Sequence, residues 1–98
     1  MAPITDEQVE AVRALVARIP AGRVSTYGDI ADAAGLSSPR IVGWIMRTDS
    51  SDLPWHRVIT ASGRPAAHLA TRQLELLRAE GVLADDGRVR LTEARHSF

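Results

Sequence analysis

Residues 25–47 read STYGDIADAAGLSSPRIVGWIMR, and this stretch decides the fold. Ser25 or Thr26 can cap a helix, because a hydroxyl oxygen there accepts a hydrogen bond from a free backbone N–H of the first turn. Apolar residues at helical spacing then extend the helix over about residues 27–34. Gly35 follows in the position that usually takes the left-handed conformation at a helix end. The pattern predicts a short, capped helix.

A second helix start follows at once. Ser37 and Ser38 precede Pro39, a residue well suited to a first helical turn, and an apolar stripe then extends to about Arg47. Two short helices joined by a tight turn with glycine are typical of a helix-turn-helix, which presents the start of its second helix to DNA. Here that start carries Arg40. Any small helical hairpin can show the same pattern, and this alternative stays open.

The rest of the chain predicts a mainly α protein with a small β component. Thr5 and Gln8 form a capping-box pattern before a helix over about residues 6–19. Asp85-Asp86-Gly87 is a turn signal between two β-prone runs, and it predicts a wing-like hairpin over about residues 82–91. A length of 98 residues corresponds to one domain, residues 1–98, of winged helix-turn-helix type. The other predicted elements are a short strand in residues 57–60 and a helix from about residue 69 to residue 80.

Composition excludes several classes of function. The chain has no cysteine, so it has no disulfide, thiolate zinc ligand or thiol nucleophile. The three histidines, His56, His68 and His96, lack close ligand spacing, and we expect neither a metal nor a cofactor. No apolar run could span a membrane, and the N-terminus lacks the pattern of a secretion signal. We therefore expect a cytoplasmic protein.

The charges are unevenly distributed although the net charge is zero. Residues 33–74 carry five arginines against two aspartates, a charge of +3, while the segments before and after carry −2 and −1. A basic middle between acidic ends is typical of nucleic-acid binding, but chance produces it as readily. All basic residues are arginine, which suits phosphate contacts and stacking on bases. A GC-rich genome would give the same bias.

Four segments carry a resemblance to a known family. Residues 23–31 (RVSTYGDIA), 39–43 (PRIVG), 53–59 (LPWHRVI) and 77–82 (LRAEGV) are similar, in order, to the C-terminal domain of the DNA alkyltransferases that repair O6-alkylguanine. Trp55 stands where that family has its catalytic cysteine. The chain therefore resembles the alkyltransferase-like proteins, and the resemblance covers most of its length.

The resemblance implies a DNA-binding surface on the helix-turn-helix. Arg40 would enter the duplex and replace the extruded nucleotide, and Tyr27 would rotate the phosphate of that nucleotide. Gly43 would let the second helix approach the sugar-phosphate backbone, and Ser38 would contact DNA beside it. The residues alone leave other roles open: a simple phosphate contact for Arg40, a half-buried core position for Tyr27 and ordinary helix packing for Gly43.

The resemblance also implies a lesion pocket. Tyr27, Met46, Trp55 and Val58 would line it, with Trp55 offering an apolar face to the alkylated base. Trp55 and Met46 could equally be core residues. The family's proton relay corresponds to His56 and Glu80, which have no thiol to activate in this chain. We therefore assign His56, Arg57 and Glu80 structural roles.

The sequence departs from the transferases at several positions. The loop in residues 47–54 is shorter, and Asp49 or Asp52 falls where the transferases have a structural asparagine. Trp44 stands where they commonly have a small residue, and residues 64–68 do not match their pocket-closing segment.

We expect a non-enzymatic protein that recognises alkylated guanine in duplex DNA. The resemblance implies docking in the minor groove, flipping of the damaged nucleotide and marking of the site for nucleotide excision repair. A monomer suffices for one flipped base, and the protein would work on a bacterial nucleoid. The first alternative is a winged-helix transcription regulator that reads the major groove, for which Trp55 would have no use. The second is an enzyme of unknown reaction that uses His56 and Glu80.

Overall fold

The computed structural model describes residues 3–98, in which short helices and two small sheets alternate. The predicted fold class, mainly α with a small β component, is confirmed. The elements in chain order are α1 (Asp6–Ala17), β1 (Ser25–Thr26), α2 (Tyr27–Ala33), α3 (Pro39–Thr48), a 3-10 turn (Trp55–Arg57), β2 (Val58–Ile59), a second 3-10 turn (Ala67–Leu69), α4 (Ala70–Ala79), β3 (Ala84–Asp85), β4 (Arg88–Val89) and α5 (Leu91–Ala94).

Helix α1 begins with the predicted capping box. The Thr5 hydroxyl accepts the Gln8 N–H at 3.1 Å, and the Gln8 side chain accepts the Thr5 N–H at 3.0 Å. The helix ends at Ala17, two residues before the predicted end. The N–H groups of Arg18 and Ile19 bond to carbonyls three residues back, so the last turn tightens and the regular helix stops.

Helices α2 and α3 form the predicted helical pair, each ending within one residue of its predicted end. The Thr26 hydroxyl caps α2 by accepting the Asp29 N–H at 3.0 Å. Gly35, with a φ of 69°, turns the chain after α2. The Ser38 hydroxyl then caps α3 by accepting the Arg40 N–H at 3.1 Å. Both caps use local hydrogen bonds, and this explains why the sequence located the two helices closely.

A two-stranded parallel sheet fixes the start of α2 against the segment that follows Pro54. Ser25 pairs with Val58, and Thr26 pairs with Ile59. The sequence predicted one longer strand in residues 57–60, but Arg57 belongs to the preceding 3-10 turn. The pairing therefore brings Tyr27, the first residue of α2, close to the turn that carries Trp55.

The C-terminal hairpin is shorter than predicted and has a two-residue turn. Asp86 and Gly87 have φ values of 53° and 75°, which fit the type I′ turn that suits tight hairpins. Asp85 is therefore a strand residue, and the prediction that it belongs to the turn was wrong. The prediction of a strand through Leu91 was also wrong, because Leu91 begins α5.

The segment after α5 returns to the helix-turn-helix. The Val24 N–H donates to the Ala94 carbonyl at 2.9 Å, and the His96 N–H donates to the Val24 carbonyl at 2.7 Å. The Arg95 guanidinium binds both carboxylate oxygens of Asp29 at 2.6 and 2.7 Å. The tail is thus tied to the strand that leads into α2 and to α2 itself.

Two groups of buried side chains hold these elements together. Val58 belongs to the first group and its neighbour Ile59 to the second, so β2 joins the two. The first group packs α1, α2 and α3 together: Val12, Val16, Ile19, Ile30, Ala31, Val42, Ile45 and Val58. The second packs β2, α4, the hairpin and α5: Val24, Ile59, Leu77, Val82, Val89 and Ala94.

Candidate functional site

A cavity of about 660 Å³ opens between α3, the Trp55–Arg57 turn and the start of α4. Its size lies within the range of roughly 300–1,000 Å³ that is usual for small-molecule sites. The cavity brings together six of the ten predicted site residues. Its lining consists of Tyr27, Arg40, Gly43, Met46, Arg47, Ser50, Trp55, Val58, Ala66, His68, Leu69 and Gln73.

Helix α3 supplies the rim of this cavity. Arg40, Gly43 and Arg47 lie three or four residues apart, so they share one face of the helix. Arg40 is exposed, and within residues 3–98 its guanidinium makes no ion pair. A Cβ added at Gly43 would meet nothing within 4 Å, so the glycine leaves open space at the rim. Ser38, the other residue predicted to touch DNA, lies outside the cavity and caps α3.

Tyr27 and Met46 serve the cavity and the first core group together. Both are half-buried, both line the cavity and both pack against that core. Burial raises the pKa of the Tyr27 phenol above its ordinary value, so its hydroxyl remains a hydrogen-bond donor at neutral pH. The two roles that the sequence left open for each residue, core and pocket, are therefore compatible.

Trp55 and Val58 form the opposite wall. Trp55 is half-buried on the 3-10 turn, and its indole meets the His56 ring edge-on with centroids 6.0 Å apart. Val58 is buried in β2, where its pairing with Ser25 fixes its position. An indole face and an aliphatic side chain together provide an apolar surface suited to a flat aromatic ring.

Gln73 is a cavity residue that the sequence reasoning missed. Its side chain is 2 % exposed, and its amide nitrogen donates to the His56 carbonyl at 2.9 Å and the Val58 carbonyl at 2.7 Å. These two bonds hold the turn that carries Trp55 against α4. A signal was present, because Gln73 stands between Leu69 and Leu77 at i±4, a polar residue on the apolar side of a helix.

The predicted relay residues form a cluster behind the cavity wall. His56 Nε2 lies 2.9 Å from Glu80 Oε2, and Arg57 Nη2 lies 2.6 Å from the same oxygen. Arg57 also donates to the Ile19 carbonyl at 2.8 Å, so the cluster ties the turn to the end of α1. The Arg57 hydrogen bonds, with a smaller contribution from His56, lower the pKa of Glu80 to about 2. Glu80 is therefore an ionised anchor at neutral pH, and none of the three lines the cavity.

The cavity has a positive lining. It contains two arginines, Arg40 and Arg47, but no aspartate or glutamate. Asp49 and Asp52, the acidic residues of this part of the sequence, bind Arg13 on α1 at 3.3 and 2.6 Å instead. Neither aspartate lines the cavity.

Residues 3–98 contain neither a metal-binding cluster nor a membrane-spanning helix. No group of three histidine, aspartate or glutamate side chains in this part of the chain could hold a metal ion. No helix there is long and apolar enough to cross a membrane.

Comparison with known proteins assigns the family. The sequence profile of the 6-O-methylguanine DNA methyltransferase DNA-binding domain matches residues 7–82. The chain belongs to this family. The match contains the whole helix-turn-helix, the Trp55–Arg57 turn and helix α4, which together build the cavity.

Within the family, the similar proteins include alkyltransferase-like members. The chain is 39 % identical over 92 residues to the DNA base-flipping protein of Escherichia coli, covering 86 % of this chain and 70 % of that protein. It is 40 % identical over 84 residues to alkyltransferase-like protein 1 of Schizosaccharomyces pombe, covering 79 % and 78 %. The suspected relationship to alkyltransferase-like proteins is confirmed.

A solved structure extends the similarity to the whole fold. The crystal structure of the S. pombe alkyltransferase-like protein in complex with damaged DNA containing O6-carboxymethylguanine superposes with a TM-score of 0.83 at 32 % identity. The match covers 98 % of this chain and all of that chain. It extends into the tail after Val82.

Proposed function

We propose that this protein binds duplex DNA at guanines alkylated on the exocyclic oxygen and transfers no group from them. The observation that carries the proposal is the cavity of about 660 Å³ whose lining includes Trp55 and Arg40, an arginine with no ion pair within residues 3–98. The complex of the S. pombe relative with DNA containing O6-carboxymethylguanine supports the same role.

Binding begins with the positive rim. Arg40 and Arg47 attract the phosphate backbone, which accounts for most non-specific affinity and makes it sensitive to salt. Gly43 lets α3 approach the minor groove closely, with Ser38 beside it at the helix start. These contacts hold the protein at any sequence, so they do not by themselves select damaged DNA.

Selection follows when the nucleotide leaves the helix. Extruding a base costs a few kcal/mol, and less for a base that is already mispaired. Arg40 fills the gap in the base stack, and Tyr27 turns the phosphate of the extruded nucleotide. The base then lies among Tyr27, Met46, Trp55 and Val58, where one aromatic contact contributes about 1–3 kcal/mol.

The bound lesion stays intact because the site has no thiolate to accept the alkyl group. The indole of Trp55 does not displace an alkyl group at neutral pH, and the chain has no thiol. His56 and Glu80 remain as anchors for the turn. We propose that the protein acts as a monomer, and that the complex flags the lesion to nucleotide excision repair proteins.

Equilibrium binding to two short duplexes tests this function. They differ in a single guanine that carries a methyl group on its exocyclic oxygen, and methyl transfer is followed in the same tubes. We expect tighter binding to the modified duplex with the methyl group retained on DNA. Arg40→Ala and Trp55→Ala should lose the preference.

Arg72→Ala is the matched control, because Arg72 is exposed on α4 and does not line the cavity. It should keep the preference. Equal affinity of the wild-type protein for both duplexes contradicts the proposal, and so does loss of the methyl group from DNA.

A further inference from the structure

Trp44 is an exposed tryptophan on helix α3. Trp44 is 46 % exposed, whereas Val42 and Ile45 on the same helix are fully buried. An aromatic side chain can bury about 150–250 Å², so an indole left in water does not contribute this burial to the stability of the fold. The rest of the fold does not use this surface.

The position of Trp44 on the helix places it on the DNA-facing side. It lies one turn after Arg40 and three residues before Arg47, so these three side chains share the exposed face of α3. Arg40, Gly43 and Arg47 line the cavity, but Trp44 does not. Trp44 therefore occupies the part of this face that points away from the lesion pocket.

We propose that Trp44 contacts the DNA strand opposite the damaged nucleotide, packing against its sugars in the minor groove. The inference rests on the proposed function, because it assumes that α3 enters the duplex with the flipped base on the cavity side. If Arg40 fills the gap in the base stack, the damaged strand lies toward the cavity and its complement lies toward Trp44. Proteins that bind the minor groove frequently present apolar side chains to it, so an indole on this face suits that groove.

The charges on this face favour DNA over a second copy of the chain. Arg40 and Arg47 flank Trp44, and neither forms an ion pair within residues 3–98. A symmetric dimer through this face would bring four arginines together, and like charges across an interface oppose association. A duplex supplies phosphates for both arginines and sugars for the indole between them.

This placement predicts a distinct effect on binding. Trp44→Ala should weaken binding to the modified and the unmodified duplex by the same factor, roughly tenfold, because the opposite strand is identical in both. The ratio of the two affinities should stay at the wild-type value. Trp44→Phe should recover most of the loss, since it restores an aromatic face.

A fluorescence experiment locates the contact directly. Trp55→Phe leaves Trp44 as the only tryptophan, and saturating duplex should then reduce the quenching of its fluorescence by acrylamide, a neutral quencher. Leu83→Ala is the control for removal of an exposed apolar side chain, because Leu83 is 69 % exposed and lies outside α3. Its affinity for DNA should equal that of the wild-type protein.

Several outcomes overturn the inference. These are unchanged affinity in Trp44→Ala, unchanged quenching at saturating duplex, or loss of lesion preference in Trp44→Ala. Shielding of the indole that grows with protein concentration in the absence of DNA would assign this face to a dimer instead. If wild-type protein shows no lesion preference but Trp44→Ala still weakens binding, the proposed function fails while the contact of Trp44 with DNA stands.

Discussion

Gly43→Ala should make the protein more stable and a poorer DNA binder. Gly43 is the fifth residue of α3, inside the helix, where alanine is favoured over glycine by about 0.5–1 kcal/mol. The added methyl group would meet no atom within 4 Å, so no clash offsets this gain. For a domain of this size the midpoint of thermal unfolding should rise by about 2–8 °C.

The same methyl group should obstruct DNA. It would occupy the open space at the cavity rim, between Arg40 and Arg47, where a sugar-phosphate backbone must approach closely. If the methyl group displaces the DNA backbone by about one ångström, a protein–DNA hydrogen bond of about 2.9 Å becomes too long to contribute. Loss of one contact of about 1–3 kcal/mol lowers the affinity by roughly five- to a hundredfold.

Thermal unfolding and fluorescence anisotropy with a labelled duplex measure the two effects separately. Gly28→Ala is the matched control, because Gly28 is also helical, lies outside the cavity and has its nearest neighbour at 3.8 Å. It should retain affinity. If Gly43→Ala binds both duplexes as tightly as the wild-type protein, close approach of DNA at this rim is refuted.

Four further substitutions test the supports of the site and of the fold. Gln73→Met removes the donor to two backbone carbonyls and should lower the free energy of unfolding by roughly 2–4 kcal/mol in urea titrations; a change under about 0.5 kcal/mol would contradict this role. The carboxyl of Glu80 has its pKa lowered to about 2 from 4.5, so it stabilises the fold above pH 4.5 and this contribution is lost as the pH falls toward 2. Glu80→Gln should be less stable at neutral pH and show a flatter decline over that interval in urea midpoints; an equally steep decline would count against it. Gly63→Ala, whose methyl group would lie 2.5 Å from a backbone oxygen, should lose roughly 2–4 kcal/mol. Gly35 is also at positive φ but faces open space, so Gly35→Ala should lower the free energy of unfolding by only about 1 kcal/mol. If both variants lose the same free energy, the close contact at Gly63 has been relieved by a local shift.

The parts of the fold that sequence could predict are those specified by neighbouring residues. Thr5 with Gln8 and Ser38 with Pro39 each define a helix start within four residues, and the structure shows both starts where they were expected. The family segments likewise identified residues that line the cavity, because Tyr27 and Trp55 lie within short motifs, residues 23–31 and 53–59.

The remaining features depend on contacts between distant residues. A two-residue strand such as β1 has no measurable periodicity, and its partner β2 lies more than 30 residues away. Leu91 follows a β-prone run but begins α5, the helix whose Ala94 carbonyl accepts the distant Val24 N–H. Gln73 finds its two acceptors 15 and 17 residues earlier, one in β2 and one in the preceding 3-10 turn. Local pattern does not encode such partners.

The hydrogen bonds between Val24 and residues 94 and 96 have a consequence for synthesis. The ribosome makes Val24 about 70 residues before its partners, so β1 and the start of α2 stay without this support until those residues have been made. The first core group uses no residue beyond Val58 and can form on the nascent chain, whereas the second needs residues up to Ala94. The strand that leads into the helix-turn-helix thus gains this support only once the end of the hairpin and α5 have left the exit tunnel.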